Sequence, residues 1–121
     1  MKILVADDSR AMRMIVIRTL RQAGMGGHEI VEAEDGAQAL ELVPTVRPDL
    51  ILSDWNMPNM TGIDFLHALR SSGDQTPFCF VTSEGSDEMR ELAARGGALG
   101  VIAKPFTPDT FSDVLDQVVT A

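Results

Sequence analysis

Five short apolar runs alternate with five longer segments of helical period along the chain, and this alternation limits its fold more than any other feature. The strand candidates are residues 3–6, 29–33, 50–53, 78–82 and 100–103. Four of the five are almost wholly apolar, as strands covered on both faces must be. Helix candidates follow them at about 10–23, 36–45, 62–71, 86–95 and 108–119. A strand–helix unit repeated in this way requires a parallel sheet with right-handed crossovers and helices on both faces. The expected class is therefore α/β, a doubly wound (βα)5 sheet.

The punctuation between the segments agrees. Ser9 is a good N-cap for the first helix, and Gly24 follows its last periodic residue. Asp35-Gly36 marks the turn into the second helix, which Pro44 or Pro48 is expected to end. Gly96-Gly97 closes the fourth helix. Pro108 and Asp109 suit the first turn of the fifth, where a missing N–H costs nothing and an acid complements the helix dipole.

Composition narrows the function. With 121 residues the chain has the length of one domain, expected to span 1–121 with no separate output domain. A net charge of −8 argues against direct nucleic-acid binding, which is driven by neutralising phosphates. The single cysteine, Cys79, cannot form an internal disulfide, which fits a reducing compartment. The first strand candidate meets two acids too early for a signal peptide, and no run approaches the roughly 20 apolar residues that span a bilayer. The expectation is a cytoplasmic monomer that does not engage membranes.

In open parallel sheets, ligands bind beyond the carboxyl ends of the strands, at the switch in strand order. Asp7 and Asp8 follow the first strand and Asp54 follows the third. The fourth ends at Thr82-Ser83-Glu84, and Lys104-Pro105-Phe106 follows the fifth. Taken singly, these residues have ordinary explanations: acids at a helix N-terminus, a turn aspartate, a strand-end hydroxyl, a solvated lysine. Taken together, they put carboxylates, a hydroxyl and an ammonium at one end of one sheet. Clustered carboxylates call for a cation, and oxygen-only donors with room for water suit Mg2+, with Mn2+ able to substitute. With the charge so altered, a phosphoryl group can approach Asp54, the natural nucleophile. Lys104 and Thr82 can then hold its oxygens.

These motifs resemble those of the response-regulator receiver domains of bacterial two-component signalling, and of their chemotaxis type above all. The matching stretches are Ile3-Leu4-Val5-Ala6-Asp7-Asp8-Ser9, Asp54-Trp55-Asn56-Met57-Pro58-Asn59-Met60-Thr61-Gly62, Val81-Thr82-Ser83-Glu84 and Lys104-Pro105-Phe106. The resemblance implies a flavodoxin-like strand order 2-1-3-4-5. It implies that Asp54 accepts a phosphoryl group from a histidine kinase or a histidine-phosphotransfer protein. Asp8, Asp54 and the Asn56 backbone carbonyl would ligate Mg2+, with Asp7 acting mainly through water. Lys104 would pair with the phosphoryl group, Thr82 would move to bond it, and a cis Lys104–Pro105 bond would aim the lysine. Asn56 and Glu84 occupy positions that tune the phosphoryl lifetime, and their identities imply a short one. Ser83 is small and leaves the site accessible. A downstream protein would bind the face made by the fourth helix, fifth strand and fifth helix.

The sequence departs from the family in two places. Where most members carry Tyr or Phe, three residues before the lysine, this chain has Val101, which is short and stiff. Activation is therefore expected to run through Thr82, the loop after it and the fourth helix. The fifth helix carries Asp109, Asp113 and Asp116 with no basic residue, so it should repel an acidic target except where Arg90 or Arg95 compensates.

Two further readings stay open at this stage. The first helix gathers Arg10, Arg13, Met14, Ile17, Arg18 and Arg21 opposite an inner stripe of Met12, Ile15, Val16, Thr19, Leu20 and Ala23. That outer side is either a solvated face or a docking surface, with Met14 and Ile17 as anchors and Arg10 and Arg21 on the rim. Docking there would suit a phosphorelay intermediate that receives a histidine-phosphotransfer bundle. A haloacid-dehalogenase-type aspartyl-phosphate hydrolase is remote, because its second aspartate is replaced by Asn56 and no cap insertion is present. A flavodoxin-like carrier would need a phosphate-cradling loop where this chain has Asp7 and Asp8. His28 and His67 have no partner spacing and read as surface or packing residues.

Overall fold

Each apolar run forms a strand and each periodic segment a helix in the computed structural model, which describes residues 1–25, 28–104 and 106–120, with the backbone alone at 25, 119 and 120. The chain runs β1 (Lys2–Ala6), α1 (Arg10–Leu20), β2 (Glu29–Ala33), α2 (Gly36–Val46), β3 (Leu50–Ser53), α3 (Gly62–Ser71), β4 (Phe78–Thr82), α4 (Asp87–Arg95), β5 (Gly100–Ala103) and α5 (Pro108–Thr120). All strand pairs are parallel and the order is β2-β1-β3-β4-β5. The flavodoxin-like receiver arrangement expected from the resemblance is the one found.

The order follows from the winding. After β1 the chain steps outward to β2, then returns past β1 to begin β3. That reversal leaves β1 and β3 as neighbours with Ala6 opposite Ser53, so the residues just beyond them, Asp7 and Asp54, emerge side by side.

The sheet separates two apolar clusters. On one face Phe78, Phe80 and Val101 join Ala39 and Val43 of α2, Phe65, Leu66 and Leu69 of α3, and Ala93 of α4. On the other, Cys79, Val81 and Ile102 join Val16 and Leu20 of α1 and Phe111, Val114 and Leu115 of α5. Every residue of β4 is buried, which is why its sequence lacks a polar alternation.

Helix starts are capped as the sequence suggests. Ser9 and Asp35 accept the N–H groups of Met12 and Gln38, and Thr61 and Ser86 do the same for α3 and α4. The second helix passes through Pro44, whose exposed ring lies near the helix end, and stops at Arg47 in the left-handed conformation (φ 51°). Pro44 does not end it, but Pro48 follows the C-cap directly, where a proline prevents the helix from continuing. The first helix stops at Leu20 and widens into a π-type turn over Arg21–Met25, where Gly24 takes φ 90°.

The orientation of α1 differs from the expected stripe. Arg13, assigned to the outer side, is buried together with Val16, Thr19 and Leu20, while Ile15 is 46% exposed and Met12 only half-buried. The cause is the Arg13 guanidinium, which donates to the Asp7 carbonyl (2.7 Å) and to Glu32 Oε1 on β2 (2.9 Å). With Arg13 turned inward, a residue two positions later points roughly 200° away, into solvent.

Candidate functional site

Past the ends of β1 and β3 the backbone pairing continues for one more residue. The Asp7 N–H donates to the Ala33 carbonyl (3.1 Å) and the Asp54 N–H to the Ala6 carbonyl (2.8 Å). This fixes where the two carboxylates project. Asp7, Asp8 and Asp54 each present one oxygen within 4.8 Å of the others. Asp7 is buried at the floor, Asp54 is half-buried and Asp8 stands open at the mouth.

The carboxylates are held by backbone donors on their own loops. Asp7 Oδ1 accepts the Ser9 N–H and Asp54 Oδ1 accepts the Trp55 N–H, both at 2.8 Å. Lys104 reaches in from the end of β5, its Nζ 3.8 Å from Asp7 Oδ2. Burial pushes both Asp7 and Asp54 above the usual carboxylate range, and neighbouring acids add to it. The bonds from Ser9 and Trp55 and the charge of Lys104 oppose that rise without cancelling it. An all-oxygen set with one carboxylate open to water fits a hard divalent cation such as Mg2+.

Thr82 closes the crevice on the β4 side. It is buried, and its Oγ1 accepts the Glu84 N–H (3.3 Å), which leaves the hydroxyl hydrogen free to meet an incoming oxygen. The Lys104 N–H donates to the Thr82 carbonyl (2.8 Å), so lysine and threonine are tied at the ends of adjacent strands. Ser83, Glu84 and Asn56 stand exposed around the rim. Pro105, and with it the expected cis bond, lies outside the described residues. His67 is exposed on α3, and His28 bonds the terminal amine through Nδ1 (2.7 Å) at the far end of the sheet.

Three residues matter here that the sequence did not single out for the site. Arg13 braces the floor through the Asp7 carbonyl. Gly62 lets α3 begin against Asp54: a Cβ there would land on the Asp54 carbonyl oxygen and 2.9 Å from the Phe80 ring. Its N–H also donates to the Trp55 carbonyl (2.8 Å), while Trp55 packs on Phe80 with ring centroids 4.6 Å apart. Arg90 joins the β4–α4 loop to β5. The sequence carries Gly62 in a matching stretch and Arg90 as a compensating charge, but only three-dimensional proximity shows what each of the three braces.

On α1, Arg10 and Met14 are exposed and Ile17 is half-buried, and Arg21 is exposed in the turn that follows. Met14, Ile17, Arg18 and Arg21 line one shallow groove. A second groove, lined by Met12, Ile15, Thr19 and Phe106, opens onto Lys104.

The chain matches the response regulator receiver domain family over residues 3–116. It is 39% identical over 120 residues to the chemotaxis protein CheY-3 of Vibrio cholerae, covering 98% of this chain and 91% of that protein. It is 37% identical to the chemotaxis protein CheY of Pseudomonas aeruginosa, covering 98% and 95%. The solved structure of Vibrio cholerae CheY4 superposes with a TM-score of 0.84 at 39% identity, covering 97% of each chain.

Proposed function

Because the chain belongs to the response regulator receiver domain family, we propose that it is a phospho-accepting signalling switch with Asp54 as the acceptor. The observation that carries the reading is the juxtaposition of three carboxylate oxygens within 4.8 Å with Lys104 at the same crevice. Asp8, Asp54 and the Asn56 carbonyl are the groups that would hold Mg2+, with Asp7 behind them. Bound there, the cation supplies the positive charge that lets one anion approach another. An oxygen of Asp54 attacks phosphorus, forming an O–P bond as the N–P bond of a phosphohistidine breaks. The leaving imidazole nitrogen keeps the electron pair and takes up a proton from water. Lys104 and the Thr82 hydroxyl are placed to hold the phosphoryl oxygens, and Ser83 leaves them room. Asn56 and Glu84, on the rim, are placed to govern how water reaches the acyl-phosphate.

The added charge of about −1.5 to −2 at Asp54 then biases the β4–α4 side of the molecule. The similarity to chemotaxis proteins supports a chemotaxis-type output through a protein target. Around α4, β5 and α5 the exposed residues include Leu92 and Leu99 and the acids Asp109 and Asp113. The two arginines of α4 are already engaged, Arg95 with Glu91 (2.5 Å) and Arg90 with two backbone carbonyls. A neutral or basic apolar partner surface fits this face better than an acidic one.

A second reading has its own support. The groove of Met12, Ile15, Thr19 and Phe106 leads to Lys104 and is flanked by the basic face of α1. A helix of a histidine-phosphotransfer bundle seated there would bring its histidine to Asp54, as a phosphorelay intermediate requires.

Trp55 is the only tryptophan and follows Asp54 directly, so its fluorescence tests the switch. A saturable change with Mg2+ is expected. Acetyl phosphate should then add one phosphoryl group to the intact mass in the parent and none in Asp54→Ala. A parent that gains no mass would overturn the reading.

A further inference from the structure

Position 101, where the family resemblance implies an aromatic, holds Val101 in this chain. Val101 is 8% exposed and belongs to the cluster beneath α4, too short to swing between core and surface. A different side chain spans this region. Arg90, in the first turn of α4, donates from Nε to the Gly85 carbonyl (3.3 Å) and from Nη1 to the Val101 carbonyl (3.1 Å). One planar guanidinium thus joins the β4–α4 loop to β5. The same loop is fastened to the switch hydroxyl, because the Glu84 N–H donates to Thr82 Oγ1.

The placement of this arginine calls for an explanation. A cation in the first turn of a helix opposes the helix dipole, and α4 otherwise opens with Asp87 and Glu88, as the dipole favours. The two carbonyl bonds, to two separate segments, offset that penalty. Gly85 leaves room for the fork: a Cβ there would stand 3.3 Å from Arg90 Nη2 and 3.1 Å from the Ala103 Cβ.

Building on the reading of Asp54 as phospho-acceptor, the geometry points to Arg90 as the positioning residue that transmits the state of Thr82 to the α4–β5 face in place of an aromatic at 101. When the Thr82 hydroxyl turns toward a phosphoryl oxygen, residues 83–85 move with it and the Gly85 carbonyl shifts relative to the Val101 carbonyl. A rigid fork cannot follow both acceptors, so the first turn of α4 re-seats against β5.

Hydrogen exchange read by mass spectrometry on the full chain, with Mg2+ and with or without acetyl phosphate, tests this. In the parent, phosphorylation should change exchange about fivefold both at residues 83–86 and at residues 99–103. Arg90→Met keeps the apolar stem and removes both bonds. Its response at 83–86 should persist while that at 99–103 falls below about twofold, with intact mass showing parental phosphoryl uptake. Arg90→Lys, which keeps the charge and the stem but loses the planar fork that joins two carbonyls, should weaken the same response and decides the matter if Arg90→Met does not fold. A purely stabilising clamp would speed exchange equally in both states and leave the phosphorylation-dependent ratio at its parental value. That result, with normal uptake, overturns the Arg90 assignment alone. A parent without uptake overturns the phospho-acceptor reading, and the coupling with it.

Discussion

At Asp54 and Asp7 the crevice works against the fold that builds it. Burial holds both carboxyls above their usual range. A carboxyl raised in this way binds its proton more tightly in the folded state, so its contribution favours folding at low pH and is withdrawn as pH rises through the folded value. Without a divalent cation, Asp54→Asn should therefore unfold at a higher temperature than the parent at pH 7. The gap should narrow toward pH 4 as the parental carboxyl regains its proton. Thermal unfolding in EDTA at the two pH values measures both. Asp7→Asn should shift stability in the same direction, because burial also holds Asp7 above its usual range. These acids, Thr82 and Lys104 were legible from the sequence because each ends or directly follows a strand, and strand ends are visible as the close of an apolar run. Gly62 was not, since its need to lack a side chain depends on an Asp54 carbonyl eight positions earlier. Gly62→Ala should cost about 2 kcal/mol or more in urea unfolding and slow phosphoryl uptake by displacing the acceptor loop.

Among the elements, α1 separates what periodicity can see from what it cannot. Its start, its length to within a few residues and its cap at Ser9 followed from the pattern. Its rotation did not, because a hydropathy stripe counts arginine as outward and isoleucine as inward. The buried bonds from Arg13 to Asp7 and Glu32 reverse that assignment. Arg13→Ala should accordingly cost about 2 kcal/mol, by leaving the Asp7 carbonyl without its donor. Ile15→Ser should change stability by less than about 0.5 kcal/mol. Urea midpoints of the two variants decide between the expected stripe and the observed one. Pro44 carries a related lesson: near the end of α2 and facing solvent, it is accommodated where a mid-helix proline would break the run.

For the molecule as a whole, strand count, parallel pairing and the location of the site all followed from alternation, while the strand order came through the family resemblance and not from the chain's own periodicity. On the function proposed above, the acidic crevice would make the folded state responsive to divalent cations. Mg2+ at about a hundred times its dissociation constant should stabilise the parent by about 2.7 kcal/mol. Asp8→Asn, which removes an exposed ligand at the mouth, should lose most of that gain in the same thermal scan.

The two clusters divided by the sheet carry a consequence for how such a chain can change over time. The α1 surface rests on Val16 and Leu20 in one interior, and α4 rests on Ala93 in the other. Substitutions separated in this way add their effects nearly independently. A lineage can therefore rewire the α1 side, down to the packing beneath it, and leave the α4 side as it was.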